Sequence, residues 1–188
     1  VNGTDSIVVD QAQVELNTST PSSPIVTGSS TVTREADIPY YNNLSWINEN
    51  EGTFIIEVNL TTVDDVGIRG IFGLDDRDDD GDNNYALYIT GGDILTLRHE
   101  KNSNFQDSKS ALNLNLGTHK IGVTYDGTNS NLYLNGTYIG GTDISPADFK
   151  QLKFGKYYGA NGTLRDSLPT ALYYPKALTD AQLKAITR

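Results

Sequence analysis

Apolar and polar positions alternate with a two-residue period along most of the chain. Phe54, Ile56, Val58 and Leu60 interleave with Ile55, Glu57 and Asn59. Successive side chains of an extended backbone point to opposite sides, so this pattern predicts a strand with one face in a core. Further runs of the same kind cover 68–74, 85–90, 94–99, 119–125, 131–134 and 137–140. Between them lie Gly91-Gly92-Asp93, Asp126-Gly127 and Asn135-Gly136, turn signals that join neighbouring strands as hairpins. Short strands at this spacing predict an all-β fold, an antiparallel β-sandwich or jelly roll.

One stretch departs from that period. Thr179-Asp180-Ala181-Gln182 is a capping box, in which the Thr179 hydroxyl accepts from the Gln182 amide and the Gln182 side chain reaches back. Leu178 and Leu183 stand where a hydrophobic staple needs them, predicting a short C-terminal helix over 180–186 that docks on a sheet through Leu183 and Ile186.

The first forty residues have another texture. Ile7 to Leu16 reads as one candidate strand, but 17–33 is dense in Ser, Thr and Pro, a composition that suits a connector. The expected division is a Ser/Thr-rich connector over 1–38 and a β-sandwich domain over 39–188.

Composition narrows the function. The 188 residues are 37% hydrophobic and 20% charged, within the globular range. A net charge of -10 and a pI near 4.5 argue against nucleic acid and anionic membranes, which attract basic patches. Nothing resembles a membrane-spanning run or a signal peptide. With no cysteine, disulfides and thiolate chemistry are excluded. There is no methionine either, and the chain starts at Val1; it is expected to be a piece of a longer polypeptide.

Two motifs carry a family resemblance. HKIGVTYDGTNSNLYLNGTYIGG (119–141) resembles the hairpin of laminin-G-like, or concanavalin-A-like, jelly rolls. LKFGKYYGANGTLRDSLPTALYYPKALTDAQLKAI (152–186) resembles the closing stretch of the same family. Together with FIIEVNL the resemblance covers about 41–188. It implies the fold; that fold hosts lectins, hydrolases, adhesion modules and structural decorations alike. QAQVELNTSTPSSPIVTGSSTVTREAD (11–37) is similar to a connector of phage tail proteins, matching at Thr33, Arg34, Ala36 and Asp37.

Catalytic signatures are sparse. The family's hydrolases set a Glu-x-Asp-x-x-Glu group on one strand; here Glu35-Ala36-Asp37 lacks the third carboxylate and Glu49-Asn50-Glu51 lacks the central Asp. There is no Gly-x-Ser-x-Gly elbow, His-Glu-x-x-His or phosphate loop. A non-enzymatic module is expected.

The sharpest chemical feature is the run from Asp75 to Asn84. Counting from Asp76, Asp78 and Asp80 fall third and fifth and Gly81 sixth, the spacing that wraps oxygens around Ca²⁺. Asp82 and Asn84 complete the candidate calcium set Asp76, Asp78, Asp80, Asp82 and Asn84. Leu87 holds the twelfth place, where a helical hand carries glutamate, so this is no EF-hand. The alternative is a solvated acidic hairpin loop.

Tyrosine outnumbers phenylalanine eleven to five, which favours a wet, ring-bearing surface. Tyr157 and Tyr158, beside Gly155, Gly159 and Gly162, are the candidate sugar-stacking residues, whereas Trp46 and Tyr173 are expected to pack. Six Asn-x-Ser/Thr sequons occur; in a phage or bacterial protein they would carry no glycan. The expected function is recognition or attachment in a virion tail or secreted surface protein, with a glycan or polysaccharide as ligand and other domains of the longer polypeptide as partners. A structural module and a polysaccharide-degrading enzyme are the alternatives.

Overall fold

A computed structural model describes residues 39–62, 67–76, 83–101, 104–111, 114–142, 149–157, 162–164 and 166–188. The chain divides into two units, Val1–Asp37 and Ile38–Arg188. The connector and the candidate strand from Ile7 to Leu16 lie outside the described residues.

The second unit consists of β1 (Tyr40–Tyr41), β2 (Gly52–Leu60), β3 (Arg69–Asp75), β4 (Asn84–Thr90), β5 (Ile94–Lys101), β6 (Asn104–Ala111), β7 (Gly117–Tyr125), β8 (Ser130–Leu134), β9 (Thr137–Thr142), β10 (Gln151–Phe154), β11 (Ser167–Tyr174) and α1 (Asp180–Ile186). The strands form a six-stranded sheet, β1-β10-β3-β4-β5-β6, and a five-stranded sheet, β11-β2-β7-β8-β9. The pairings are antiparallel, including the long-range pairs β10 with β3 and β11 with β2, so the architecture is the predicted sandwich.

The core lies between the two sheets. Phe54, Ile56, Val58 and Leu60 of β2 face it, as the alternation predicts, and meet Phe72, Leu87 and Leu97 of the other sheet. The Phe54 and Phe72 rings stack at 5.0 Å across the interface. Each such buried side chain contributes roughly 1.5–3 kcal/mol.

Ile55 departs from the expected half-buried strand. It points away from the core, yet only 5% of it is exposed, because α1 covers it. Leu183 is fully buried against Ile55 and Tyr133, with Leu178, Tyr174 and Ile186 around it. The helix lies close because Gly122 sits beneath: a Cβ there would stand 3.0 Å from both Leu183 Cδ2 and Thr187 Cγ2. Both halves of the predicted capping box are present.

The turns behave as their residues require. Asn135 and Gly136 take φ of 48° and 79°, the mirror-image turn that suits a hairpin. Asn135 Oδ1 accepts from Lys120 N at 2.9 Å, and its Nδ2 lies 3.0 Å from His119 Nδ1. Gly136 N donates to Thr187 Oγ1 at 3.1 Å, tying this turn to the end of α1. Arg69 forms a second tie: it pairs with Asp93 in the β4–β5 turn and, at 3.0 Å, with Asp166 before β11.

Strand β6 has no counterpart in the expected elements. Its sequence, NFQDSKSA, shows no apolar alternation, and it forms as the edge partner of β5 through backbone pairing.

Candidate functional site

Alternation on the six-stranded sheet sends Leu74, Tyr85, Leu87, Ile89, Leu95 and Leu97 into the core. Their neighbours in sequence occupy the outer face, and the register arranges them in rows. One row is Asp75, Asn84 and Glu100 on β3, β4 and β5; the next is Lys153, Gly73, Ala86 and Arg98 on β10, β3, β4 and β5.

This face is polar and nevertheless sheltered. Asp75 is 3% exposed, Lys153 5%, Asn84 1% and Glu100 8%. Lys153 Nζ pairs with Asp75 Oδ2 at 2.8 Å. Asn84 Nδ2 donates to Glu100 Oε2 at 2.8 Å, and Arg98 pairs with the other oxygen of the same carboxylate. Removing ions from water costs several kcal/mol each, which their mutual attraction only partly returns. A face built for packing alone would carry apolar side chains instead.

Tyr157 joins this group from the β10–β11 connection. The backbone at Lys156 and Tyr157 crosses β3 where it has no side chains: a Cβ on Gly70 would lie 1.9 Å from Tyr157 N, and one on Gly73 2.8 Å from Tyr157 O. The Tyr157 ring, 3% exposed, packs on Tyr88 at 4.4 Å beside Ala86. The Tyr88 hydroxyl contacts both Arg98 and Tyr157; burial pushes this phenol up, and the Arg98 guanidinium opposes that rise. Arg98, with 26% of its side chain exposed, is the group of this cluster most open to solvent.

The sequence-predicted residues are therefore distributed as follows. Tyr157 belongs to the outer face, held by packing rather than standing free at a loop tip. Tyr158 lies outside the described residues. The acidic run is the β3–β4 connection, since Asp75 and Asn84 pair at its base. Asp76 Oδ2 accepts from Asn83 Nδ2 at 2.5 Å, Asn84 is inside β4 with its amide on Glu100, and Asp78, Asp80 and Asp82 lie outside the described residues. Among the described residues, no three His, Asp or Glu side chains gather as a metal group, and no helix is long and apolar enough to cross a membrane.

Trp46 corrects the expectation of packing. It is 43% exposed: it follows a short edge strand, and the rings of Tyr41 and Tyr173 lie beside it. Tyr173 packs as expected, 4.9 Å from Phe54. Sequence reading missed Asp75, Lys153, Glu100 and Arg98 as a group. The signal was the polar half of each alternating strand; what it lacks is the order of strands that aligns those halves.

Comparison with known families and structures agrees with this architecture. The family model Laminin_G_3, described as the concanavalin A-like lectin/glucanases superfamily, matches residues 33–184. The carbohydrate-binding module CBM40 of the Ruminococcus gnavus IT-sialidase superposes with a TM-score of 0.61 at 16% identity, covering 74% of this chain and 84% of its own. The NanB sialidase from Streptococcus pneumoniae gives a TM-score of 0.62 at 10% identity, over 78% of this chain and 26% of the sialidase. A heptameric SAP-like pentraxin from Limulus polyphemus gives 0.56 at 15%, over 74% and 70%. Among curated proteins no significant match is found. At these identities the structural likenesses bear on the fold.

Proposed function

Because the chain belongs to the concanavalin A-like lectin/glucanases superfamily, we propose that it is a non-catalytic carbohydrate-binding module whose binding surface is the outer face of the six-stranded sheet. The observation that carries this is the sheltered charged cluster around Arg98, which pairs with Glu100 and contacts Tyr88, itself packed on Tyr157. A guanidinium offers planar paired donors that suit a carboxylate, and the buried Tyr88 and Tyr157 hold it in place. The ligand chemistry this fits is a glycan bearing a carboxylate. The R. gnavus module, solved with α2,3- and α2,6-sialyllactose, supports that choice of ligand.

Binding is favoured over hydrolysis by the way the carboxylates are held. Asp75 and Glu100 each carry a cationic partner, Lys153 and Arg98. They sit two strands apart, roughly 10 Å between backbones, with Asn84 between them. General-acid chemistry needs a carboxyl with a proton to give, and here both are engaged as ion-pair acceptors.

The module is read as the recognition part of a longer virion-tail or secreted surface polypeptide. Calcium in the β3–β4 connection, held by Asp76, Asp78, Asp80, Asp82 and Asn84, remains part of this proposal. It is checked by a thermal melt in millimolar calcium against chelator, where coincident melting temperatures discard it.

Calorimetric titration of the chain with 3′- and 6′-sialyllactose tests the main reading. Binding weakened at least tenfold in Arg98→Ala, and restored only in part by Arg98→Lys, is the expected result. Wild-type affinity in folded Arg98→Ala, or no binding of either sugar by the wild type, removes the assignment. Self-association without glycan binding would favour the structural module instead.

A further inference from the structure

A second group of rings stands at the β1 edge of the same sheet, where the chain enters the sandwich. Tyr41 is 48% exposed and Trp46 43%. Large aromatic side chains left in water at one spot are uncommon unless the spot is used.

These rings are firmly held. Trp46 Nε1 donates to the Asn43 carbonyl at 2.9 Å. The indole meets Tyr173 at 5.5 Å and Tyr41 at 5.8 Å, with planes inclined 77° and 79°. Tyr41 in turn meets Phe154 at 6.4 Å. The Tyr173 hydroxyl accepts from Asn48 N at 2.8 Å and lies 3.1 Å from the buried Tyr125 hydroxyl. Side-chain caps brace the loop itself: Ser45 N donates to Asn43 Oδ1 at 3.1 Å, and Asn50 N to Asn48 Oδ1 at 3.0 Å. Two nearly perpendicular rings so fixed form a corner, and little further freedom is lost when a ligand enters it.

The rim of this corner fixes the ligand chemistry. Residues 40–48 contain no charged side chain; the polar groups are the amides of Asn42, Asn43 and Asn48, with Gln151 donating to Asn42 Oδ1 at 2.5 Å. Ring faces match the C–H face of a pyranose, and amides match its hydroxyls. The cation in register with β1, Lys153 opposite Tyr40, is 5% exposed and paired with Asp75. Arg98 lies four strand spacings away in the same sheet, roughly 19 Å, farther than one sugar ring spans.

We propose that Tyr41 and Trp46 form a second saccharide site that accepts uncharged sugar rings. The site is separate from the charged face and stands independently of the function assigned to it.

Trp46 is the sole tryptophan, so its emission reports this corner alone. The test uses the full chain, with acrylamide quenching measured before and after adding maltohexaose, cellohexaose, mannohexaose or chitohexaose. Trp46 should be readily quenched at the start. At least one neutral hexaose should shift its emission saturably and shield it, while sialyllactose leaves it unmoved. Tyr41→Ala should weaken that binding at least tenfold, and Tyr41→Leu, which keeps an apolar contact on Phe154 but removes the ring, should do the same. A Trp46 already shielded from acrylamide means that the chain itself covers the corner, and overturns the proposal. So does an emission unmoved by all four hexaoses, or a response that survives both Tyr41 variants.

Discussion

The two sheets share one core but finish their outer faces in opposite ways. Outside the five-stranded sheet, Ile55, Gly122 and Tyr133 are apolar or small, and α1 lies on them through Leu183. Outside the six-stranded sheet, Asp75, Asn84, Glu100, Arg98 and Lys153 are polar or charged and satisfy one another. Where α1 covers it, the first face is committed to folding. The second keeps directional donors and acceptors in a sheltered setting, where a hydrogen bond to an incoming group is stronger than in open water. Recognition is therefore expected of the face that contributes less to stability per side chain.

Substitutions can break this contrast. The largest effect is expected at Lys153. Lys153→Met leaves Asp75 short of its cation in a sheltered site and should cost about 3–5 kcal/mol, whereas Lys153→Met with Asp75→Leu should recover most of that loss. Denaturant midpoints decide it; a harmless single variant would mean the pair is solvated and the charged face is ordinary surface.

On the other sheet, Leu183→Ala should cost about 2–5 kcal/mol, measured by chemical unfolding, with sialyllactose affinity unchanged when the variant is folded. Altered glycan binding would show that the faces are coupled rather than independent.

A smaller effect concerns pH. Burial, then the charge of Asp180, pushes the Tyr133 phenol up to about 12, while a free tyrosine ionises near 10. The folded state thus holds this proton more tightly. Its contribution is fully present below about pH 10 and is lost as pH rises through about 12. Melting temperature against pH should decline in that window, and less steeply in Tyr133→Phe. Parallel curves for the two proteins would remove Tyr133 from the alkaline transition.

Much of the fold was legible in the chain because alternation is local. Phe54 to Leu60 reveal which side of β2 is apolar, and Thr179 to Gln182 reveal where α1 starts. Ile55 was misjudged because its cover, Leu183, is 128 residues away by subtraction of their numbers. Strand β6 was invisible for a related reason: it is held by its partner's backbone, which leaves no trace in side-chain type. The charged face is an extreme case. Asp75, Glu100 and Lys153 are unremarkable singly, and only the crossover that sets β10 beside β3 makes them neighbours. Tyr157 was singled out on composition, but the passage of its own backbone over Gly70 and Gly73 could be seen only in three dimensions.

The turn at Asn135-Gly136 has a consequence for chemical ageing. An Asn-Gly pair is prone to lose ammonia when the glycine nitrogen attacks the asparagine side-chain carbonyl, closing a succinimide ring that opens to aspartate or isoaspartate. Here the attacking nitrogen is occupied by Thr187 Oγ1, and the carboxamide is pinned by Lys120 N and His119. The last residues of the chain thus act as a preservative for a hairpin fifty residues upstream. Thr187→Val should leave the sandwich folded yet speed isoaspartate formation at Asn135 on storage, read by peptide mapping, while intact protein ages slowly.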